Sequence, residues 1–180
     1  GVSGASGAAL ALACAGALRR LDVAIDLVVS RAARRTLVEE IGAEAPEALA
    51  ALASRTHDPA DLGAAIASGS CPVAGMIVAP CSMRSLAAIA HGLDDTLLVR
   101  AAGVQLKEGR PLVLLPRESP LTLAHLRNMT AAAEMGAVIA PPVPALYLRP
   151  SGVADIVEQI AASAVDRLRL APPLARAWTG

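Results

Sequence analysis

The chain has 180 residues, 54% apolar and 18% charged, with 16 Lys plus Arg against 16 Asp plus Glu for a net charge of +0. Without a dense basic stripe or an aromatic platform, nucleic acid is excluded as the main partner; without a run of about 18 apolar residues free of Gly, Pro and charge, so is a membrane span. The length predicts one domain, residues 1–180, and a mean hydropathy of +0.52 predicts a large core or apolar surface shared between subunits.

The chain opens with GVSGASGAAL, a glycine-rich turn running into a helix expected over Ala8–Arg20. Backbone amides and Ser6 Oγ at a helix N-terminus suit an anion, although the spacing is neither the dinucleotide nor the Walker pattern, and a ligand-free tight turn explains it equally. Such a turn implies a strand before it, so a strand is expected upstream of Gly1. VAIDLVVS (23–30) reads as a strand covered on both faces and residues 31–41 as a helix, whereas the Ala/Glu-rich segment 42–55 leaves its state open. In DPADLGAAIASG, Asp58 as cap, Pro59 as first helical residue and Gly69 as stop predict another helix. GMIVAP (75–80) is a buried strand, followed by a helix from about Ser82 to Gly92 with Ser82 at its N-cap. PLVLLP (111–116) and a helix framed by Thr122 and Gly136 repeat the scheme; a short strand, a proline-stiffened loop and a closing helix over 153–170 complete it. Alternating strands and helices predict an α/β domain with a mostly parallel sheet. Its ligands would gather beyond the C-terminal strand ends, where the opening turn, Ser30, the CSMR segment and Arg117-Glu118 fall.

Cys14, Cys71 and Cys81 are an odd number without C-x-x-C spacing, which favours reduced thiols in the cytoplasm over a disulfide framework or a zinc site. Cys81 beside Ser82 raises a nucleophile reading that no neighbouring His supports, and His57, His91 and His125 lack metal-ligand spacing. Arg100 and Lys107, seven apart, share a helical face. With Arg117-Glu118 they supply cations and a carboxylate suited to a phosphorylated substrate and a proton transfer, ordinary surface charge being the alternative. Tyr147 is the only tyrosine in a chain without Phe, which points to a use of its hydroxyl.

Five segments, GVSGASGA, VVSRAAR, MIVAPCSMRSLAAIA, LLVRAAGVQLKEGRPLVLLPRESPLTLAHLRNM and EMGAVIAPPVPALY, together resemble the UbiX family of flavin prenyltransferases, in order and over nearly the whole chain. The resemblance implies a three-layer Rossmann-like (flavodoxin-like) domain that joins a dimethylallyl group from dimethylallyl phosphate to reduced FMN without a metal. It also implies a product used by a UbiD-type decarboxylase, a homo-oligomer (a dodecamer), and a short apolar strand entering the opening turn. By motif, Gly4, Ala5, Ser6, Ser30, Cys81, Ser82, Met83, Arg84 and Arg117 would hold FMN; Arg100, Lys107, Glu118 and Tyr147 would surround the prenyl phosphate, with Glu40 contributing across a subunit boundary. Glu118 would transfer a proton, and Ser6 would orient the flavin or relay one. Where the family usually carries a basic residue that grasps the phosphate, this chain has Ser163; Arg167, one helical turn on, could reach back. The alternatives are an FMN-binding paralogue without prenyl transfer, and an FMN-dependent decarboxylase of the cysteine-decarboxylase group. That group's catalytic His and its Asn-rich and Met-Asn motifs have no counterpart in APCSMRS.

Overall fold

In the computed structural model, which describes residues 1–178, α1 (Ala8–Arg20) follows the opening turn and leads to β1 (Asp26–Val28), α2 (Arg31–Glu40), α3 (Ala45–Leu52) and β2 (Arg55–His57). Beyond a 3-10 turn at Ala65–Ala67 come β3 (Met76–Cys81), α4 (Met83–Ala90), α5 (Leu97–Lys107), β4 (Leu112–Pro116), α6 (Leu123–Glu134), β5 (Val138–Ile139) and α7 (Val153–Asp166). Ser30, Ser82, Thr96 and Thr122 open α2, α4, α5 and α6, each hydroxyl accepting from the amide three residues on. Each cap thereby satisfies a first-turn donor that the helix itself cannot. His125 completes a capping box with Thr122, so one of the three histidines has a purely local task.

All the paired strands are parallel: β1 with β2, β3 with β4, and β4 with β5. Residues 1–3 lie between the two groups. Val2 bridges Val29, and the Ala79 and Ser3 amides donate to the Gly1 and Pro80 carbonyls. The spatial order is therefore β2, β1, residues 1–3, β3, β4, β5, the doubly wound arrangement in which the chain turns back beside its first strand. Val78, Leu112 and Leu114 pack under α4 and α5, whereas Ala79, Val113 and Leu115 pack under α1 and α7. Alternate residues thus feed opposite cores, as strands buried on both faces require. A third cluster joins α1, α2 and α3 through Leu27, Leu37 and Leu49. The layered α/β architecture expected from the sequence is present, with the sheet standing between α5 and α7.

Three expectations about elements need correction. The helix expected from Asp58 to Gly69 is absent: the Asp58 and Asp61 carboxylates accept from the amides of Ala60 and Gly63, closing local turns, and only Ala65–Ala67 coil. Short acidic side chains that bond nearby amides compete with helical pairing. The closing helix stops at Asp166 rather than continuing to Leu170, because the Asp166 carboxylate receives the Leu174 and Ala175 amides and Arg169 adopts a left-handed φ of 56°. The strand expected over 23–30 pairs as a ladder only at Asp26–Val28. The open segment 42–55 resolves into α3, with a proline in its first turn, and the first residue of β2.

Candidate functional site

Residues 1–3 and β3 are neighbours in the sheet, yet one leads into α1 and the other into α4 on the opposite face. Their turns part at the carboxyl end of the sheet and leave a crevice at the switch point. Ser3 ties the two turns together. It is buried, its hydroxyl donates to the Pro80 carbonyl at 3.0 Å, and its Oγ accepts from the Ser82 amide at 2.6 Å. Sequence reasoning missed Ser3, since its partners lie nearly 80 positions away and no local pattern marks it.

The glycines of the opening turn have separate reasons. A Cβ on Gly4 would stand 2.4 Å from the Ala32 Cβ, so Gly4 permits the close approach of α2, and Gly7 has a φ of 109°. The amides freed at the start of α1 are already taken: Glu40 Oε2 accepts from Gly7 N at 2.9 Å and from Ala8 N at 2.8 Å. The anion held by this turn is therefore a carboxylate of the same chain, not a ligand phosphate. Burial alone would raise the Glu40 pKa, but the Ser6 hydroxyl, these two amides and the Arg117 guanidinium outweigh it and hold the carboxyl below its ordinary value. Glu40 thus serves its own subunit's turn, where the sequence reading looked across a boundary. Arg117 Nε donates to the Ser6 carbonyl at 3.1 Å, leaving Ser6 exposed at the crevice beside buried Ala5.

On the other wall, Ser82 caps α4 and also donates to Ser85 Oγ at 3.1 Å. Cys81 is fully buried, and burial pushes its thiol up to about 12, opposed only by the N-terminal ammonium. A neutral thiol at physiological pH is no nucleophile, which removes that reading. Met83 is nearly buried, while Arg84 is exposed and paired with Asp95. Ser30 caps α2 at the neighbouring strand end. Glu118 is exposed beyond β4, with Oε1 accepting from the Ser119 amide at 3.0 Å. The crevice suits an elongated phosphorylated ring compound such as FMN: hydroxyl-capped helix N-termini attract the phosphate, and Ala5 and Met83 offer apolar surface.

A second concavity, of about 370 Å³, opens between the proline-rich loop and α7. Tyr147, Ser163 and Arg167 all line it, over an apolar base that includes Leu115 and Ile160. Trp178 meets the Tyr147 ring edge-on, with centroids 5.4 Å apart. Its segment is held down by Gln159, which exchanges hydrogen bonds with the Arg176 backbone, and by Arg176 Nη2, which donates to the Leu148 carbonyl. Trp178, also missed, could have been noticed as the chain's single tryptophan.

Arg100 and Lys107 stand apart from this pocket. Arg100 Nη1 binds Asp94 at 2.8 Å and its Nε donates to the Ala67 carbonyl at 3.2 Å, while Lys107 pairs with Glu108. They share α5 as expected, but the sheet separates α5 from α7. Among the described residues no group of three His, Cys, Asp or Glu converges as a metal site, and no helix is long and apolar enough to cross a membrane.

A doubly wound sheet with an anion-attracting crevice at its switch point is the build of a flavoprotein, and the Flavoprotein family model matches residues 1–167. The flavin prenyltransferase UbiX of Thauera aromatica is 48% identical over 100% of this chain and 92% of its own. The crystal structure of AnUbiX in complex with FMN and dimethylallyl pyrophosphate superposes with a TM-score of 0.94 at 42% identity, covering 99% of this chain and 95% of that one. A dodecameric FMN-dependent UbiX-like decarboxylase from Escherichia coli O157:H7 superposes with a TM-score of 0.93 at 47% identity, over 99% and 98% of the two chains. The chain belongs to the UbiX family of flavin prenyltransferases.

Proposed function

We propose that this protein transfers a dimethylallyl group from a dimethylallyl phosphate donor to reduced FMN, yielding the prenylated flavin used by a UbiD-type decarboxylase. One observation carries the reading: the switch-point crevice and the Tyr147–Arg167 pocket occur together in a chain that superposes almost entirely on a relative crystallised with FMN and an allylic diphosphate. Bound reduced FMN supplies the nucleophilic ring atoms N5 and C6 that the prenyl group joins.

The residues of the chain divide the remaining work. Gly4, Ala5, Ser6, Ser30, Cys81, Ser82, Met83, Arg84 and Arg117 form the flavin crevice, Cys81 through its backbone and bulk. Arg117, by holding the Ser6 carbonyl, fixes the Ser6 hydroxyl toward the ring. Glu40 keeps the turn closed through its two amide contacts. Tyr147 and Arg167 receive the charge that develops on the departing phosphate, an electrostatic role that grows in the transition state. Glu118, a carboxylate open to solvent beside Arg117, takes up and returns protons.

Arg100 and Lys107 lie across the sheet from that pocket, so we assign them to a site completed by a second copy of the chain. Exposed Leu93, Leu123, Leu126 and Val143 supply apolar area for such an assembly, and a dodecamer is the arrangement carried by the E. coli relative. A single flavoprotein domain in the cytoplasm, with its three cysteines free, completes the reading. The test is mass spectrometry of the flavin released after anaerobic incubation with reduced FMN and dimethylallyl phosphate or diphosphate. A gain of one prenyl group is expected; unchanged FMN recovered from a protein that binds it tightly would identify a flavin-binding paralogue instead.

A further inference from the structure

Resting on the prenyl-transfer reading, we infer that the α7 pocket selects an allylic diphosphate over a monophosphate, with Arg167 as the residue that grips the terminal phosphoryl group. The argument begins with which donors in the pocket are free. Gln159 spends both ends of its amide on the Arg176 backbone. Asp166, the carboxylate adjacent to Arg167, is engaged by the Leu174 and Ala175 amides. Among the described residues the Arg167 guanidinium has no hydrogen-bond or carboxylate partner, so it is the pocket's uncommitted cation, with the hydroxyls of Tyr147 and Ser163 as uncommitted neutral donors.

Their spacing sets the length of the anion. Ser163 and Arg167 are four residues apart on α7, about 6 Å along the helix axis at its usual rise. A single phosphoryl group bound by the two hydroxyls would leave the guanidinium a helical turn away, whereas a second phosphoryl group extends the anion toward it. The extra charge of a diphosphate needs a cation, and the planar fork of Arg matches phosphoryl oxygens two at a time. Leu115, Ala140, Ile160 and Ala164 line the rest of the cavity, an apolar wall for the five-carbon chain. In the transfer, the allylic C–O bond breaks and its electron pair leaves on the diphosphate. The N5 lone pair of reduced FMN forms the new N–C bond, and the N5 proton passes to the departing diphosphate.

The experiment compares kcat/KM for dimethylallyl phosphate and dimethylallyl diphosphate in the wild type, Arg167→Ala and Ser163→Arg. The wild type should prefer the diphosphate by about tenfold or more, the scale of a charge-assisted contact. Arg167→Ala should lose about tenfold more activity with the diphosphate than with the monophosphate. Ser163→Arg, which brings a guanidinium one turn nearer the hydroxyl end, should move the preference toward the monophosphate. A wild type that prefers the monophosphate, or equal losses with both donors in Arg167→Ala, overturns the inference. If neither donor is turned over, the prenyl-transfer reading fails separately, and calorimetry with inorganic diphosphate and phosphate on the FMN-loaded protein decides the pocket. Tighter diphosphate binding that Arg167→Ala abolishes would uphold it, and equal binding of the two anions would refute it.

Discussion

Replacing Glu40 with alanine tests whether a side chain from the end of α2 fastens the opening turn. The substitution removes an acceptor of two hydrogen bonds, at 2.9 and 2.8 Å, and a negative charge at the N-terminus of α1. Loss of an N-cap acceptor costs about 1 kcal/mol and loss of the favourable dipole interaction about 0.3–1 kcal/mol. Because Glu40 is exposed, solvent screening and hydration of the freed amides keep the sum near ~1–2 kcal/mol. For a domain of this length that is a fall in Tm of roughly 2–8 °C, read by scanning calorimetry at pH 7 with wild type and variant at equal protomer concentration. The pH dependence is a sharper check. The folded-state pKa of Glu40 lies below its unfolded value, so its stabilisation is complete above the unfolded pKa and is lost as pH falls through the folded one. The difference in Tm between wild type and Glu40→Ala should therefore shrink below about pH 4. Equal melting at pH 7, or a difference that persists undiminished at about pH 3, would refute the clasp.

Two further substitution and labelling experiments address the walls of the crevice. Gly4→Ala would bring a methyl group to 2.4 Å from the Ala32 Cβ and 3.2 Å from the Ala32 carbonyl carbon. Because α2 must shift to admit it, urea unfolding should show a loss of about 1–3 kcal/mol, and wild-type stability would mean that the helices have slack here. Burial holds the Cys14 and Cys81 thiols up to about 12, so alkylation of the native protein at about pH 8 should spare both and modify at most half-buried Cys71. Peptide mapping that finds Cys81 labelled before unfolding would contradict the neutral, inaccessible thiol.

What the sequence by itself determined was everything whose cause lies within a few residues. Ser30, Ser82 and Thr122 cap their helices because each hydroxyl reaches an amide three positions away. The apolar runs around Val78 and Leu114 are strands buried on both faces, and the motifs that resemble UbiX proteins span nearly the whole chain. Local reasoning failed where another local bond competed, as at Asp58 and Asp61, whose carboxylates close turns in place of a helix.

Tertiary structure alone decided the contacts between distant segments. Glu40 meets Gly7 across 33 positions only because α2 can approach Gly4, and Ser3 meets Ser82 only because residues 1–3 lie beside β3. Likewise, Arg100 and Lys107 share a helical face that the spacing revealed, but their separation from Tyr147 follows from the sheet between α5 and α7. Spacing along the chain reports neighbours on one helix, because the backbone fixes that geometry. Which helices meet, and which face a sheet keeps apart, depends on how the buried side chains of all three layers pack together.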